Sequence, residues 1–260
     1  MYIDSHCHIN DERLYEDREK IIEEAKKEGV STLLIIGWDL ESSKKAIEIA
    51  DAHEGVYAAI GFHPENLDDI SLDALEEIKE LAKKEKKVIA IGEIGLDYHW
   101  YKEKEHREKQ KYWFIKQIEL ANDLYLPISI HAREASEDVY KILKEHKPIK
   151  SGVLHCYSGS VEMLKEFQKL GMYFGFDGPI TFKNAIEPKR CVEEVDINKI
   201  LSETDCPYLT PHPHRGETNY PKYIPLIVEK MAELKGIDVE EMKKHLEDNF
   251  KKLFLGDKND

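Results

Sequence analysis

The sequence predicts a single (β/α)₈ TIM barrel over residues 1–260, closed by C-terminal helices. Three observations carry this reading. Short apolar segments alternate with longer amphipathic ones, eight apolar segments can be counted, and no repeat, low-complexity tract or Gly/Ser-rich linker breaks the alternation.

The candidate strands occupy 2–8, 31–37, 56–63, 88–95, 127–131, 151–155, 172–176 and 199–203. They are rich in Ile, Val and Leu and poor in charge, as strands buried on both faces of a parallel sheet must be. Helical spacing of apolar residues is found at 13–28, 40–53, 72–84, 104–124, 134–145 and 161–170. Two more helices, near 222–234 and 239–254, follow the eighth strand and close the structure. Eight strand–helix units specify a closed barrel more naturally than an open doubly wound sheet. No Gly-x-Gly-x-x-Gly turn follows the first strand, which argues against a dinucleotide fold.

Asp and Glu exceed Lys and Arg by 52 to 38, a net charge of −14. Runs such as Glu23-Glu24-Ala25-Lys26-Lys27-Glu28 read as solvated helix faces with i,i+4 pairs. An acidic surface excludes broad electrostatic capture of duplex DNA, so a nucleic-acid substrate must be drawn by cations and a few local arginines. No segment approaches the ~18 apolar residues of a membrane span. The chain opens Met1-Tyr2-Ile3-Asp4, with neither basic nor apolar leader character. Cys7, Cys156, Cys191 and Cys206 are too scattered for a disulfide framework. A cytoplasmic protein with no membrane association and no obligate protein partner is expected.

Barrel active sites sit at the C-terminal ends of the strands. His6 and His8 end the first candidate strand, His63 the third, His131 the fifth and His155 the sixth. Glu93 lies near the end of the fourth, and Glu203 and Asp205 follow the eighth. In Asp4-Ser5-His6-Cys7-His8 the two-residue period turns Asp4, His6 and His8 to the inside, where two neutral imidazoles can ligate one cation. By the same alternation Cys7 and Cys156 are expected to face the outer helices. Glu93 is a charge in an apolar strand flanked by glycines, which demands partners or cations, and its two oxygens suit it to bridge two cations. His131 and His155 supply imidazoles to the second cation. The mixed His/carboxylate set suits zinc, manganese or magnesium.

Asp205 is the expected ligand and general base. Glu203, on the same side by pleat spacing, is expected in the catalytic group, either as a further ligand or as an orienter behind the ligands. His63, Arg133 and Arg215 are the candidate substrate contacts, because the arginine fork matches phosphate and barrel phosphate sites form near the last loops. Asp97 is suited to capping the next turn and carries no assigned role. His53, His99, His106, His146 and His245 are expected to be solvated, and His212 and His214 to lie in a loop near the mouth.

Three blocks resemble the TatD family of metal-dependent deoxyribonucleases: Tyr2-Ile3-Asp4-Ser5-His6-Cys7-His8-Ile9-Asn10, Pro127-Ile128-Ser129-Ile130-His131-Ala132-Arg133, and Leu201-Ser202-Glu203-Thr204-Asp205-Cys206-Pro207-Tyr208-Leu209. Phe62-His63-Pro64, Gly92-Glu93-Ile94-Gly95-Leu96-Asp97 and His155-Cys156-Tyr157-Ser158-Gly159 are similar too. In Arg215-Gly216-Glu217-Thr218-Asn219-Tyr220-Pro221, Tyr220 stands where the family commonly has an acid. The resemblance implies a barrel with two divalent metals, His6, His8 and Asp205 on one, His131 and His155 on the other, and Glu93 between. It implies hydrolysis of phosphodiester bonds in DNA, as a 3′-to-5′ exonuclease, or of a small phosphodiester at the barrel mouth. Two other readings use the same residues: a metal-dependent hydrolase of acyl esters or amides (a lactone, an amide or an aminoacyl-tRNA ester), and a metal-stabilised binding protein without turnover.

Overall fold

The computed structural model describes residues 1–68 and 70–256. Its strands are β1 (Tyr2–Cys7), β2 (Val30–Ile36), β3 (Val56–Ile60), β4 (Val88–Asp97), β5 (Ile128–Arg133), β6 (Gly152–Leu154), β7 (Tyr173–Phe176) and β8 (Ile200–Ser202). They lie side by side in sequence order, and each neighbouring pair is parallel. The eight-stranded barrel expected from the alternation is therefore the fold. No helix among the described residues is long and apolar enough to cross a membrane.

The seam between β1 and β8 is closed by side chains and by backbone beyond the strand ends. Ser202 Oγ donates to the Ile3 carbonyl at 2.7 Å, and Ser5 Oγ donates to the Ser202 carbonyl at 3.0 Å. Asp4 accepts from Thr204 N at 2.9 Å and from Thr204 Oγ1 at 2.5 Å. Past the strand ends, Asp205 N donates to His6 O and His8 N to Cys206 O, both at 2.9 Å. Asp4 thus serves the seam, not the cavity. Burial pushes its carboxyl up to about 8, against the pull of the Thr204 hydrogen bonds.

Register shifts between Asp4 and Cys7 break the alternation of β1. They leave Cys7 on the helix side, where Sγ meets the Leu34 carbonyl at 3.4 Å, while Ile3 packs inside. The interior holds a separate apolar cluster in which Ile3, Leu34, Ala90, Val153, Tyr173 and Leu201 meet Phe250 and Phe254. These strand residues lie on the N-terminal side of the histidine-bearing ends, so the cluster forms a floor beneath the mouth. Removing a buried ring from such a layer typically costs about 3–5 kcal/mol.

The helices depart from expectation in three places. The segment 13–28 divides into α1 (Glu12–Tyr15) and α2 (Arg18–Lys27). Asp11 caps the first, accepting from Arg13 N and from the Arg13 guanidinium. The following helices are α3 (Leu40–Ala52), α4 (Leu72–Lys84), α5 (Lys104–Leu124), α6 (Ser136–Glu145) and α7 (Val161–Lys169). A helix not foreseen, α8 (Glu187–Glu194), buries only Cys191 and Val192, too short an apolar pattern to register as periodic. After α9 (Ile224–Lys235), the last helix α10 stops at Phe250 and runs on as a π turn over Lys251–Leu255.

Candidate metal centre

The strand ends bring five of the foreseen side chains around one carboxylate, Glu93. Its strand can approach β5 closely because residue 95 is glycine. Gly95 has φ +143°, and a Cβ there would fall onto the His131 carbonyl. Gly95 is also the register partner of His131, which sets Glu93 beside that imidazole.

Two sets of donor atoms result, one on each carboxylate oxygen. On the first side, His6 Nε2 and His8 Nε2 are 3.1 Å apart. Glu93 Oε2 stands 3.6 and 3.8 Å from these nitrogens, and Asp205 Oδ1 stands 3.5 and 3.3 Å from them. On the other side, Glu93 Oε1 lies 2.6 Å from His155 Nε2 and 3.0 Å from His131 Nδ1, and those nitrogens are 3.3 Å apart. Donors about 2.0–2.2 Å from a tetrahedral cation are separated by roughly 3.3–3.6 Å. The first set lies close to this spacing, while the second has the donor chemistry of a divalent site but is drawn in to hydrogen-bond distances of 2.6 and 3.0 Å on Glu93 Oε1.

The groups behind the imidazoles decide which nitrogen faces inward. His8 Nδ1 donates to the Ile36 carbonyl at 3.2 Å, and His6 Nδ1 meets Ser129 Oγ at 3.4 Å. His131 Nε2 donates to Asp97 Oδ2 at 2.9 Å, while His155 Nδ1 stands 3.7 Å from Glu203 Oε1. His8 and His131 thus each hold one nitrogen outward on an acceptor and turn the other toward the Glu93 and Asp205 carboxylates, the arrangement in which carboxylates and carbonyls orient metal-binding histidines. His155 Nδ1, by contrast, is buried without a hydrogen-bond partner among the described residues. His63 is built the other way. Its Nδ1 accepts from Glu65 N at 3.1 Å, so its neutral ring carries the proton on Nε2, 3.5 Å from Glu93 Oε1. His63 therefore presents an N–H to Glu93 in this arrangement, and its donor atom lies in one compact group with Glu93 and His131.

Charge follows the same geometry. Burial would push the Glu93 carboxyl up, but His155, His63 and His131 overcome it and hold Glu93 well below the usual range. Burial likewise opposes protonation of His155, yet Glu93 and Glu203 raise it well above the ordinary imidazole value. His131 is raised against its burial by Asp97 and Glu93, and His8 by Asp205. His6 and His63 are lowered, chiefly by burial.

His8, His63, Glu93, His131, His155 and Asp205 line one cavity of about 650 Å³, together with Trp38, Trp100, Arg133, Cys156 and Tyr208. Three sequence expectations need correction. Cys156 faces the cavity, not the outer helices, because β6 ends at Leu154 and residue 156 takes a left-handed φ of 43°. Glu203 and Asp205 part company past β8, which ends at Ser202: Asp205, with φ 54°, reaches His6, His8 and the cavity, while Glu203 lies deeper, in one compact group with His6 and His155. Glu203 is fully buried behind His155, accepting from Cys156 N, and a Cβ at Gly175 would fall on its Oε2. Arg215 lies outside the cavity lining, 4.4 Å over the ring of Phe182. Of the histidines expected to be solvated, His53 is instead largely covered and pairs with Glu19 at 3.3 Å, His106 stacks on Tyr101, and His99 meets Glu134 at 2.5 Å in a solvent-facing pair.

Asp97 does cap its turn, accepting from His99 N at 2.9 Å and from Trp100 N at 3.4 Å, but its other oxygen holds His131. Two carboxylates were missed in these roles, Asp97 and the buried Asp177, which joins Cys156 and Asp205 in a compact group. Asp177 directly follows β7, so the strand-end rule that found the others would have found it. Its carboxyl is pushed well above the ordinary range by burial and by Glu203 and Asp205.

The sequence pattern of the family described as TatD related DNase matches residues 3–255. The chain belongs to the TatD family. Its relatives include the uncharacterized metal-dependent hydrolase YabD of Bacillus subtilis (strain 168), 45% identical over 255 residues, 98% of this chain and 99% of the relative. The uncharacterized metal-dependent hydrolase YcfH of Escherichia coli (strain K12) is 35% identical over 256 residues, 97% of this chain and 95% of that one. The crystal structure of YjjV, a TatD homolog from Escherichia coli K12, superposes with a TM-score of 0.92 at 28% identity and covers 98% of both chains. This TatD-family chain is thus a metal-dependent hydrolase on a TIM barrel, as its motifs implied.

Proposed function

We propose that this TatD-family hydrolase cleaves phosphodiester bonds of DNA at single-stranded ends, using two divalent cations. His6, His8 and Asp205 would hold one, His131 and His155 the other, with Glu93 shared. The observation that carries this reading is the division of Glu93: Oε2 belongs to one donor set and Oε1 to the other. Cations so held would supply Lewis acidity to a phosphoryl oxygen and lower the pKa of water, for which zinc, manganese or magnesium are suited.

The chain's own groups complete the chemistry. Asp205 lines the cavity with its carboxyl held ionised against burial by His8, His155 and His6, ready to accept a proton from attacking water. His63 offers a neutral Nε2–H to an oxygen of the reacting phosphate. Arg133 reaches the cavity and has no carboxylate partner among the described residues, so its fork is free for phosphate. Glu203 acts from behind, as the group that orients His155. A cavity of about 650 Å³ has the scale of a small-ligand site and favours a terminal nucleotide over a duplex. The 3′-to-5′ polarity rests on the family resemblance alone.

The test is hydrolysis by metal-stripped protein after separate addition of Mg²⁺, Mn²⁺ or Zn²⁺, with single-stranded DNA compared against a carboxyl-ester reporter. Cation-dependent nucleotide release is expected. Turnover of the carboxyl ester without cleavage of DNA would replace this reading with an acyl-ester hydrolase, and no turnover with cations bound would leave a metal-stabilised binding protein.

A further inference from the structure

We infer that Trp100 is a specificity-determining residue, the platform on which a nucleobase of a single strand stacks, with Arg133 in the cavity lining and Arg215 beyond it taking different phosphates of that strand. The inference rests on the phosphodiester reading above and names how the substrate is gripped.

Trp100 is a large apolar side chain left 64% exposed, yet it lines the same cavity as Glu93 and His131. It is not a lone exposed ring, since Trp38 and Tyr208 line the same cavity, and an apolar surface gathered at a cleft marks a ligand-binding site. Its position is held. The turn that carries it is capped by Asp97, and the other oxygen of that carboxylate fixes His131, so platform and donor set share one anchor. The Arg133 guanidinium lies 5.6 Å from the Trp100 ring centre, on the strand that also carries His131.

The six arginines divide in a telling way. Arg13 and Arg190 pair with carboxylates, Arg18 pairs with Glu48, and Arg107 donates to the Tyr101 carbonyl. Arg133 and Arg215 form no ion pair or hydrogen bond among the described residues, the Arg133 charge acting only at longer range on Glu134, and like Arg13, Arg18 and Arg107 each rests on an aromatic ring. In a chain with 52 acids against 38 bases, an unpaired arginine in the cavity lining and a second outside it call for an external anion. Arg133 ends β5 and Arg215 stands on the loop after β8, three strands apart around the ring of eight, so one phosphate cannot serve both. A flexible strand that spans the mouth can. Stacking on an aromatic ring tolerates any base, and positive side chains then track the backbone, the pattern of sequence-tolerant single-strand binding.

The experiment follows anisotropy of a fluorescein-labelled, phosphorothioate-linked (dT)₈ with the Mg²⁺-loaded protein, alongside turnover of ordinary (dT)₈. Trp100→Ala is expected to weaken binding about tenfold, and Trp100→Phe to restore most of it. With a strand of abasic spacers the Ala penalty should vanish, which a merely structural role of Trp100 would not produce. Arg215→Gln should reduce the slope of log K against log salt by about 0.7. Equal binding by wild type and Trp100→Ala, an equal penalty on the abasic strand, or no wild-type binding would overturn the inference. Binding with the expected penalties but no cleavage of ordinary (dT)₈ would uphold it and sink the phosphodiester reading alone.

Discussion

Glu93→Ala is expected to abolish hydrolysis, lowering kcat/KM by at least about a thousandfold, while the protein stays folded. The size of the effect comes from geometry. Among the described residues Glu93 alone has an oxygen in each donor set, so its loss removes one ligand atom from both sides at once. Loss of a partner behind a ligand already costs about 10–100-fold in metal affinity or activity, and loss of a shared ligand should cost more. The fold is expected to survive because the apolar floor and the β1–β8 seam do not involve Glu93. The imidazoles left around the gap have a neutral form, so no unpaired charge need be buried. The check is turnover on single-stranded DNA, bound cations per chain, and the circular dichroism spectrum; full turnover in a folded Glu93→Ala protein would contradict the bridging role.

Asp205→Asn is expected to lower kcat by about a hundred to ten-thousandfold, the range for loss of a positioned proton acceptor. Asparagine preserves the shape and can still offer an oxygen near His6 and His8, but it brings neither negative charge nor basicity. The His131/His155 side should keep nearly all its affinity, because Asp205 touches only His6 and His8 and reaches His155 through its charge alone. Metal titration separates the two sides: wild-type affinity at one site with weakened affinity at the other supports the assignment, and undiminished turnover would end it. Protons compete here. His155, His131 and His8 hold their protons more tightly than ordinary imidazoles in the protein without cations, so cation affinity should fall as pH falls through their titration.

Much of this centre is legible in the sequence because barrels impose a positional rule. His6, His8, Glu93, His131, His155 and Asp205 could be picked out as chemistry-bearing residues at strand ends, and all six gather within one cavity or its wall. What failed was the extension of pleat alternation past the last hydrogen-bonded residue. Cys156 and Asp205 take left-handed φ values just beyond β6 and β8, which re-aims every side chain after the strand. Glu203 thereby moves from the mouth to the wall behind His155. Asp97 was ambiguous because one side chain performs two tasks, capping a turn and holding His131, and only the first has a local signature. The aromatic rim of Trp38, Trp100 and Tyr208 left no periodic trace, since its members come from loops after different strands. Among the helices, α8 escaped notice for want of a buried face longer than two residues.

The most direct measurement of the central claim is anomalous diffraction from a crystal of the protein grown with Mn²⁺ or Zn²⁺, recorded at the absorption edge of that metal. Two peaks flanking Glu93 are predicted, one against His6, His8 and Asp205 and one against His131 and His155. A single peak, or peaks only at the Cys156–Asp177 group, would contradict the two-cation centre on which the proposed hydrolysis depends.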